Sequence, residues 1–150
     1  MMLHRRLWIA AILAIVAMLG ALLAAAVPSA GHSTRLSPLE AFQLAQKGRV
    51  LLIDIRTPEE WRATGIPADA EALDMLDSSF FAKLGALTKG SKSTPVALIC
   101  ASGGRSSRLA RTLRADGYSN VYDVSGGVTG SLTHRGWLAA GLPVRHLPSV

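Results

Sequence analysis

The sequence predicts an α/β fold in three layers, a central parallel sheet of about five strands with helices on both faces. Short apolar runs alternate along the chain with segments of helical periodicity. Two of those runs, Val50-Leu51-Leu52-Ile53-Asp54-Ile55 and Val96-Ala97-Leu98-Ile99, are nearly continuous, as in strands covered on both faces. Repeated strand-then-helix order then implies right-handed crossovers and parallel strands.

The elements follow in order. Ser37-Pro38-Leu39-Glu40 is a capping box with proline at the first helical position, opening a helix that stops at Gly48 after Lys47. After the first apolar strand, Thr57-Pro58-Glu59-Glu60 repeats the capping logic for a short helix through Trp61, ended by Gly65 and Pro67. A short strand is expected at Ala72-Leu73 and a helix over residues 80–87, with Phe80, Phe81, Leu84 and Leu87 on its buried side. Residues 88–94 are polar and loop-like. The second apolar strand runs into a loop and then a helix over about residues 106–115, with Leu109 and Leu113 inward, Arg108, Arg111 and Arg114 outward, and Gly117 as cap. Val121-Tyr122-Asp123-Val124 gives a further strand, followed by Gly126-Gly127 and a last helical region around residues 137–140.

With 150 residues, 49% of them hydrophobic, the chain has room for one compact domain, but part of that hydrophobicity lies in one N-terminal block. Residues 7–27 carry no charge and follow directly on His4, Arg5 and Arg6. A block of 21 such residues is long enough to span a bilayer, whereas Ala24-Ala25-Ala26 and Ser29-Ala30 suit a cleavage site. Residues 1–30 are therefore read as a signal peptide, or a membrane anchor if uncleaved, and residues 34–147 as the working domain. The positive-inside rule keeps Arg5 and Arg6 in the cytoplasm and sends the remainder across the membrane, into the periplasm of a Gram-negative cell. Without those two arginines 14 basic residues face 10 acidic ones, a net charge of +4 that favours small anions but lacks the dense basic tract of a nucleic-acid binder.

Cys100 is the single cysteine, so no internal disulfide can form and the thiol stays free in an oxidising compartment. It stands where the second apolar strand runs into Ala101-Ser102-Gly103-Gly104-Arg105-Ser106 at the mouth of a helix. Glycines let such a loop curl around a thiolate, and the helix directs its positive dipole end at the same place. In parallel sheets the reactive loops gather at the carboxyl ends of strands, where Cys100 lies. The competing reading is a buried structural cysteine.

These residues resemble a family, the single-domain rhodaneses, sulfurtransferases whose cysteine-led loop cradles a persulfide. The resemblance covers about residues 36–144. Leu52-Ile53-Asp54-Ile55-Arg56-Thr57-Pro58-Glu59-Glu60-Trp61 is similar to the family's first signature, Cys100 to Ser106 to its catalytic loop, and Gly126-Gly127 with Ala140-Gly141-Leu142-Pro143-Val144 to its closing motif. The resemblance implies a rhodanese-like fold and a double displacement. Cys100 would take sulfur from a small anionic donor such as thiosulfate and pass it to an acceptor such as cyanide or a thiol. The N–H groups from Ala101 to Ser106 would stabilise thiolate and persulfide. Arg105 would add charge for an anionic donor, or else form a salt bridge to a neighbouring strand end. Asp54 and Arg56 resemble a pair that braces the loop in this family.

Loop length separates two chemistries. Related folds that act as phosphatases or arsenate reductases place five residues between cysteine and arginine; here only Ala101, Ser102, Gly103 and Gly104 intervene, and no histidine precedes Cys100. The tighter ring of donors suits one sulfur atom better than a tetrahedral phosphate. The chain also departs from the family. Gly65-Ile66-Pro67-Ala68-Asp69-Ala70 stands where many members have His-Ile-Pro-Gly-Ala, Ala101 replaces a basic residue common in thiosulfate-using relatives, and residues 128–136 are more than the usual spacing. That added segment is expected to form a lid or partner surface, with His134 solvent-exposed. Trp61 and Trp137 are read as core aromatics. The scattered histidines and lone cysteine give no metal site, and no cofactor fingerprint is present. The alternative to a sulfurtransferase is a non-catalytic rhodanese-like binding or redox-sensing module; the sequence names no protein partner, and contact with a membrane is expected only through the N-terminal segment.

Overall fold

A computed structural model describes residues 34–148 of the chain; the leader expected over residues 1–30 lies outside the described residues. The five-stranded sheet consists of β1 (Arg35–Leu36), β2 (Leu51–Asp54), β4 (Glu71–Ala72), β5 (Val96–Ile99) and β6 (Val121–Val124), in the order β1-β6-β5-β2-β4 and parallel throughout. Strands β3 (Ile66–Pro67) and β7 (Val144–Arg145) pair antiparallel in a separate two-stranded sheet. The helices are α1 (Pro38–Gln46), α2 (Pro58–Thr64), α3 (Phe80–Leu87) and α4 (Gly104–Ala115). No helix among the described residues is long and apolar enough to cross a membrane.

The continuous apolar runs are strands buried on both faces, and the pleat sends successive residues to opposite layers. Ile53 and Leu98 join Phe80 and Leu84 of α3 and Leu109 and Leu113 of α4 on one face. Leu52, Ala97 and Ile99 meet Ala41 of α1, Trp61 of α2 and Trp137 on the other. This is the expected three-layer arrangement. Both predicted capping boxes form: Ser37 and Glu40 close the start of α1, and Thr57 and Glu60 that of α2, each with proline in the first turn.

Several local expectations are corrected. Phe81 is 61% exposed rather than buried. Positions 80, 84 and 87 already make the inward stripe of the short α3 helix, and at 100° per residue position 81 falls outside it, edge-on to Phe80 at 5.3 Å. Residues 137–140 form a single hydrogen-bonded turn and not a helix: the Ala140 N–H bonds the Gly136 carbonyl at 3.0 Å and the turn ends at Gly141, φ 69°. Helix α4 begins at Gly104, two residues before the expected start, because Gly103 adopts φ 97° and serves as its N-cap. The short strand expected at Ala72-Leu73 is Glu71–Ala72. Strands β1, β3 and β7 had no signal of their own, since two residues show no periodicity.

Candidate active site

Cys100 is the first residue beyond β5, at the carboxyl edge of the sheet, and is 1% exposed. The chain turns back over it so that the Gly103 N–H lies 3.2 Å and the Ser106 N–H 3.4 Å from Sγ. The Ser106 hydroxyl lies 3.3 Å from the same sulfur. Two backbone donors and the first turn of α4 therefore face Sγ, a narrower set than the six N–H groups expected. This arrangement favours negative charge at the sulfur, because N–H dipoles and the helix start point at it.

The loop is anchored from the β6 side by the segment after Val124. Val128 donates its N–H to the Cys100 carbonyl at 2.8 Å, and Thr129 bonds the Ala101 carbonyl through both its N–H (2.8 Å) and its hydroxyl (2.9 Å). Gly127, with φ 59°, lies so close that a β-carbon there would collide with the carbonyl oxygens of Cys100 and Ala101. Glycine at this point of the closing motif is thus required by the approach of two backbones.

On the α2 side, Arg105 holds Glu60 through two hydrogen bonds, Nη1 to Oε2 at 2.9 Å and Nη2 to Oε1 at 2.5 Å. The salt bridge reading of Arg105 holds, but its partner is on helix α2 and not at a strand end. Arg105 keeps the Glu60 carboxyl below its ordinary range, and Glu60 in turn strengthens the Arg105 cation. Behind them Asp54 and Arg56 form a fully buried pair at 2.7 Å. Arg56 also donates to the Thr64 hydroxyl and the Gly65 carbonyl, both at 2.7 Å, so β2 is tied to the end of α2. Neither Asp54 nor Arg56 contacts Cys100 through a hydrogen bond; the contact to the loop runs through α2, Glu60 and Arg105.

Asp123 was not singled out in the sequence, yet its Oδ1 accepts a 2.6 Å hydrogen bond from Ser106 Oγ. It sits on β6 and is 5% exposed. Burial pushes its carboxyl above the ordinary value, against the lowering influence of the Ser106 hydrogen bond and of Arg35, 3.9 Å away. The available signal was a carboxylate inside the apolar string Val121-Tyr122-Asp123-Val124.

The remaining expectations are placed as follows. Residues 128–136 lie beside the cysteine loop, where Ser131, Thr133 and His134 share a cavity of about 390 Å³ with Ser102, Gly103 and Gly104. His134 is exposed, as expected, with Nδ1 2.8 Å from the Thr133 hydroxyl. Trp61 and Trp137 are core residues. Arg108 and Arg111 face solvent, while Arg114 turns back to the Val121 carbonyl at 2.7 Å. Among the described residues no group of three or more His, Cys, Asp or Glu side chains could hold a metal ion.

Residues 37–133 match the family model of the rhodanese-like domain. The chain is 33% identical to the thiosulfate sulfurtransferase GlpE of Pseudomonas syringae over 62% of its length and 81% of that protein. Among solved structures it is similar to the polysulfide-sulfur transferase homodimer of Wolinella succinogenes, with 29% identity and a TM-score of 0.59 over 77% of this chain and 80% of that one. It is also similar to Rv0390 of M. tuberculosis, with 29% identity and a TM-score of 0.59 over 74% and 96% of the two chains.

Proposed function

We propose sulfur transfer through a persulfide on Cys100 as the reaction of this chain, which belongs to the rhodanese-like domain family. The observation that carries the reading is the position of Sγ, 3.2 and 3.4 Å from the N–H groups of Gly103 and Ser106 inside a loop with only four residues between cysteine and arginine. Sulfurtransferase activity at the level of the family, and the likeness to GlpE, support it.

The step is a double displacement. The Cys100 thiolate attacks the outer sulfur of thiosulfate; the new Sγ–S bond forms as the thiosulfate S–S bond breaks, and the electron pair leaves with sulfite. Cyanide or a thiol then attacks that outer sulfur and Cys100 departs as thiolate. The N–H pair and the α4 start hold negative charge in both half-reactions. Ala101 brings no positive charge to the loop entrance, so the donor is not selected by a basic residue there, and polysulfide, the sulfur source named for the Wolinella succinogenes transferase, is proposed as a donor alongside thiosulfate. Arg105, being paired with Glu60, acts on the loop's shape more than on the donor.

Export is part of the same proposal: the uncharged block at residues 7–27 behind Arg5 and Arg6 supports an extracytoplasmic, periplasmic domain, read out by the mass of the mature N-terminus. The reaction is tested by thiocyanate formation from cyanide with thiosulfate or polysulfide as donor, comparing the protein with Cys100→Ser. Turnover that depends on Cys100 is expected. Absence of turnover with either donor would leave a binding or redox-sensing module.

A further inference from the structure

The hydroxyl of Ser106 stands between Sγ of Cys100 at 3.3 Å and Oδ1 of Asp123 at 2.6 Å, with the neutral Gly103 carbonyl, 3.2 Å away, as a third and weaker acceptor for its single proton. All three are buried: Cys100 is 1%, Ser106 0% and Asp123 5% exposed. A hydroxyl offers one donor and two acceptor sites, so its direction decides what the sulfur feels. If the carboxyl is ionised, the hydroxyl points to it and presents a lone pair to sulfur, which favours the thiol. If the carboxyl is protonated, it donates to Ser106 Oγ, and the hydroxyl is released to donate to a thiolate. Two anions flanking one hydroxyl in a buried site are the costly state.

We propose that Asp123 is a positioning residue for the sulfur chemistry, sharing one proton with Cys100 through the Ser106 hydroxyl. The inference rests on Cys100 being the nucleophile of the proposed reaction. The transfer balances: Ser106 takes the Cys100 thiol proton on its oxygen as it gives its own to Asp123, so a thiol and a carboxylate become a thiolate and a carboxylic acid. When Cys100 later leaves the outer sulfur, the same path runs backwards and the departing thiolate is protonated. The surroundings suit a carboxyl that changes state. Burial favours the neutral acid, while Arg35 on β1 and Arg111 and Arg114 on α4 favour the carboxylate. Strand β5 brings no charged side chain, and His134 of residues 128–136 lines the same cavity as Asp123.

The test is the pH dependence of iodoacetamide alkylation, which reports on Cys100 alone because it is the only cysteine of the full chain. The unaltered protein should show two inflections, as coupled sites do. Asp123→Asn, whose amide donates to Ser106 at all pH values, should leave one inflection, match the unaltered protein at the acidic end, where the carboxyl is itself protonated, and alkylate roughly tenfold faster between the two inflections, where the unaltered protein divides one proton between Cys100 and Asp123. In a Ser106→Ala background the same change should alter the rate less than about twofold, since coupling through a shared hydrogen bond is lost with it. Superimposable profiles for the unaltered protein and Asp123→Asn would overturn the proposal, as would an equal Asp123→Asn effect with and without Ser106. Should Asp123→Asn fail to fold, carbon-13 NMR of the Asp123 carboxyl in the otherwise unaltered protein decides: its titration must move once Cys100 is alkylated, and a fixed titration contradicts the relay. Alkylation needs no sulfur donor, so a failure of sulfur transfer is read separately.

Discussion

The two walls of the cysteine loop are held by different physics. On the α2 wall every charge has a partner: Asp54 with Arg56 in the interior, Glu60 with Arg105 at the loop itself. On the β6 wall a buried carboxyl, Asp123, has only a loose ion pair with the exposed Arg35 at 3.9 Å and meets a hydroxyl that also touches Cys100 Sγ, and backbone hydrogen bonds from Val128 and Thr129 supply the mechanical hold. The first wall is built to stay in one state, because breaking a buried pair leaves an uncompensated charge. The second wall holds the carboxyl that, in the proposed reaction, exchanges a proton with Cys100. Shape and chemistry of the site are thus assigned to opposite sides of the loop.

The largest effect should come from the interior of the α2 wall. Arg56→Met leaves Asp54 buried without its partner and should cost about 3–5 kcal/mol, read as a fall in the urea midpoint. A loss under about 1 kcal/mol would mean that the wall is not held by this pair. Next, Gly127→Ala places a β-carbon against the Cys100 and Ala101 carbonyls at φ 59°, and should cost about 1–3 kcal/mol while also slowing alkylation of Cys100. An unchanged alkylation rate would separate the β6 wall from the loop.

Smaller effects distinguish the two walls by sign. Glu60 has its carboxyl lowered by Arg105, so its contribution to stability is present above the ordinary carboxylate range and is lost as pH falls. Asp123 has its carboxyl raised by burial, so the fold is favoured while it is protonated, and stability is lost as pH rises from the ordinary aspartate value through the raised one. Glu60→Gln should flatten the first dependence at a cost of about 0–1 kcal/mol, the pair being partly exposed. Asp123→Asn should flatten the second, the smallest change of the series. Denaturation midpoints measured across acidic pH check both; slopes of the same sign would erase the contrast.

Much of this arrangement was legible in the sequence, for identifiable reasons. Capping boxes are local, so Ser37 with Glu40 and Thr57 with Glu60 announced α1 and α2. Doubly covered strands read as unbroken apolar runs, which located β2 and β5 and placed Cys100 at a strand end. The brace of Asp54 and Arg56 came from family resemblance and not from spacing. What stayed hidden depends on distant segments. Glu60 shows its capping role in sequence, whereas its bond to Arg105, 45 residues away, exists only once α2 and α4 meet beside the loop. Asp123 was hidden inside an ordinary strand because its partner, Ser106, lies on the helix packed against it. The turn at Trp137 has the residues of a helix start but only one turn's length before Gly141.

The central claim, that the loop holds sulfur on Cys100, is tested most directly by intact-mass analysis of the full chain after incubation with thiosulfate or polysulfide and removal of excess donor. A gain of one sulfur atom, absent in Cys100→Ser and removed by cyanide, is the predicted result. A mass that does not change with either donor, in protein whose Cys100 still alkylates, would contradict it.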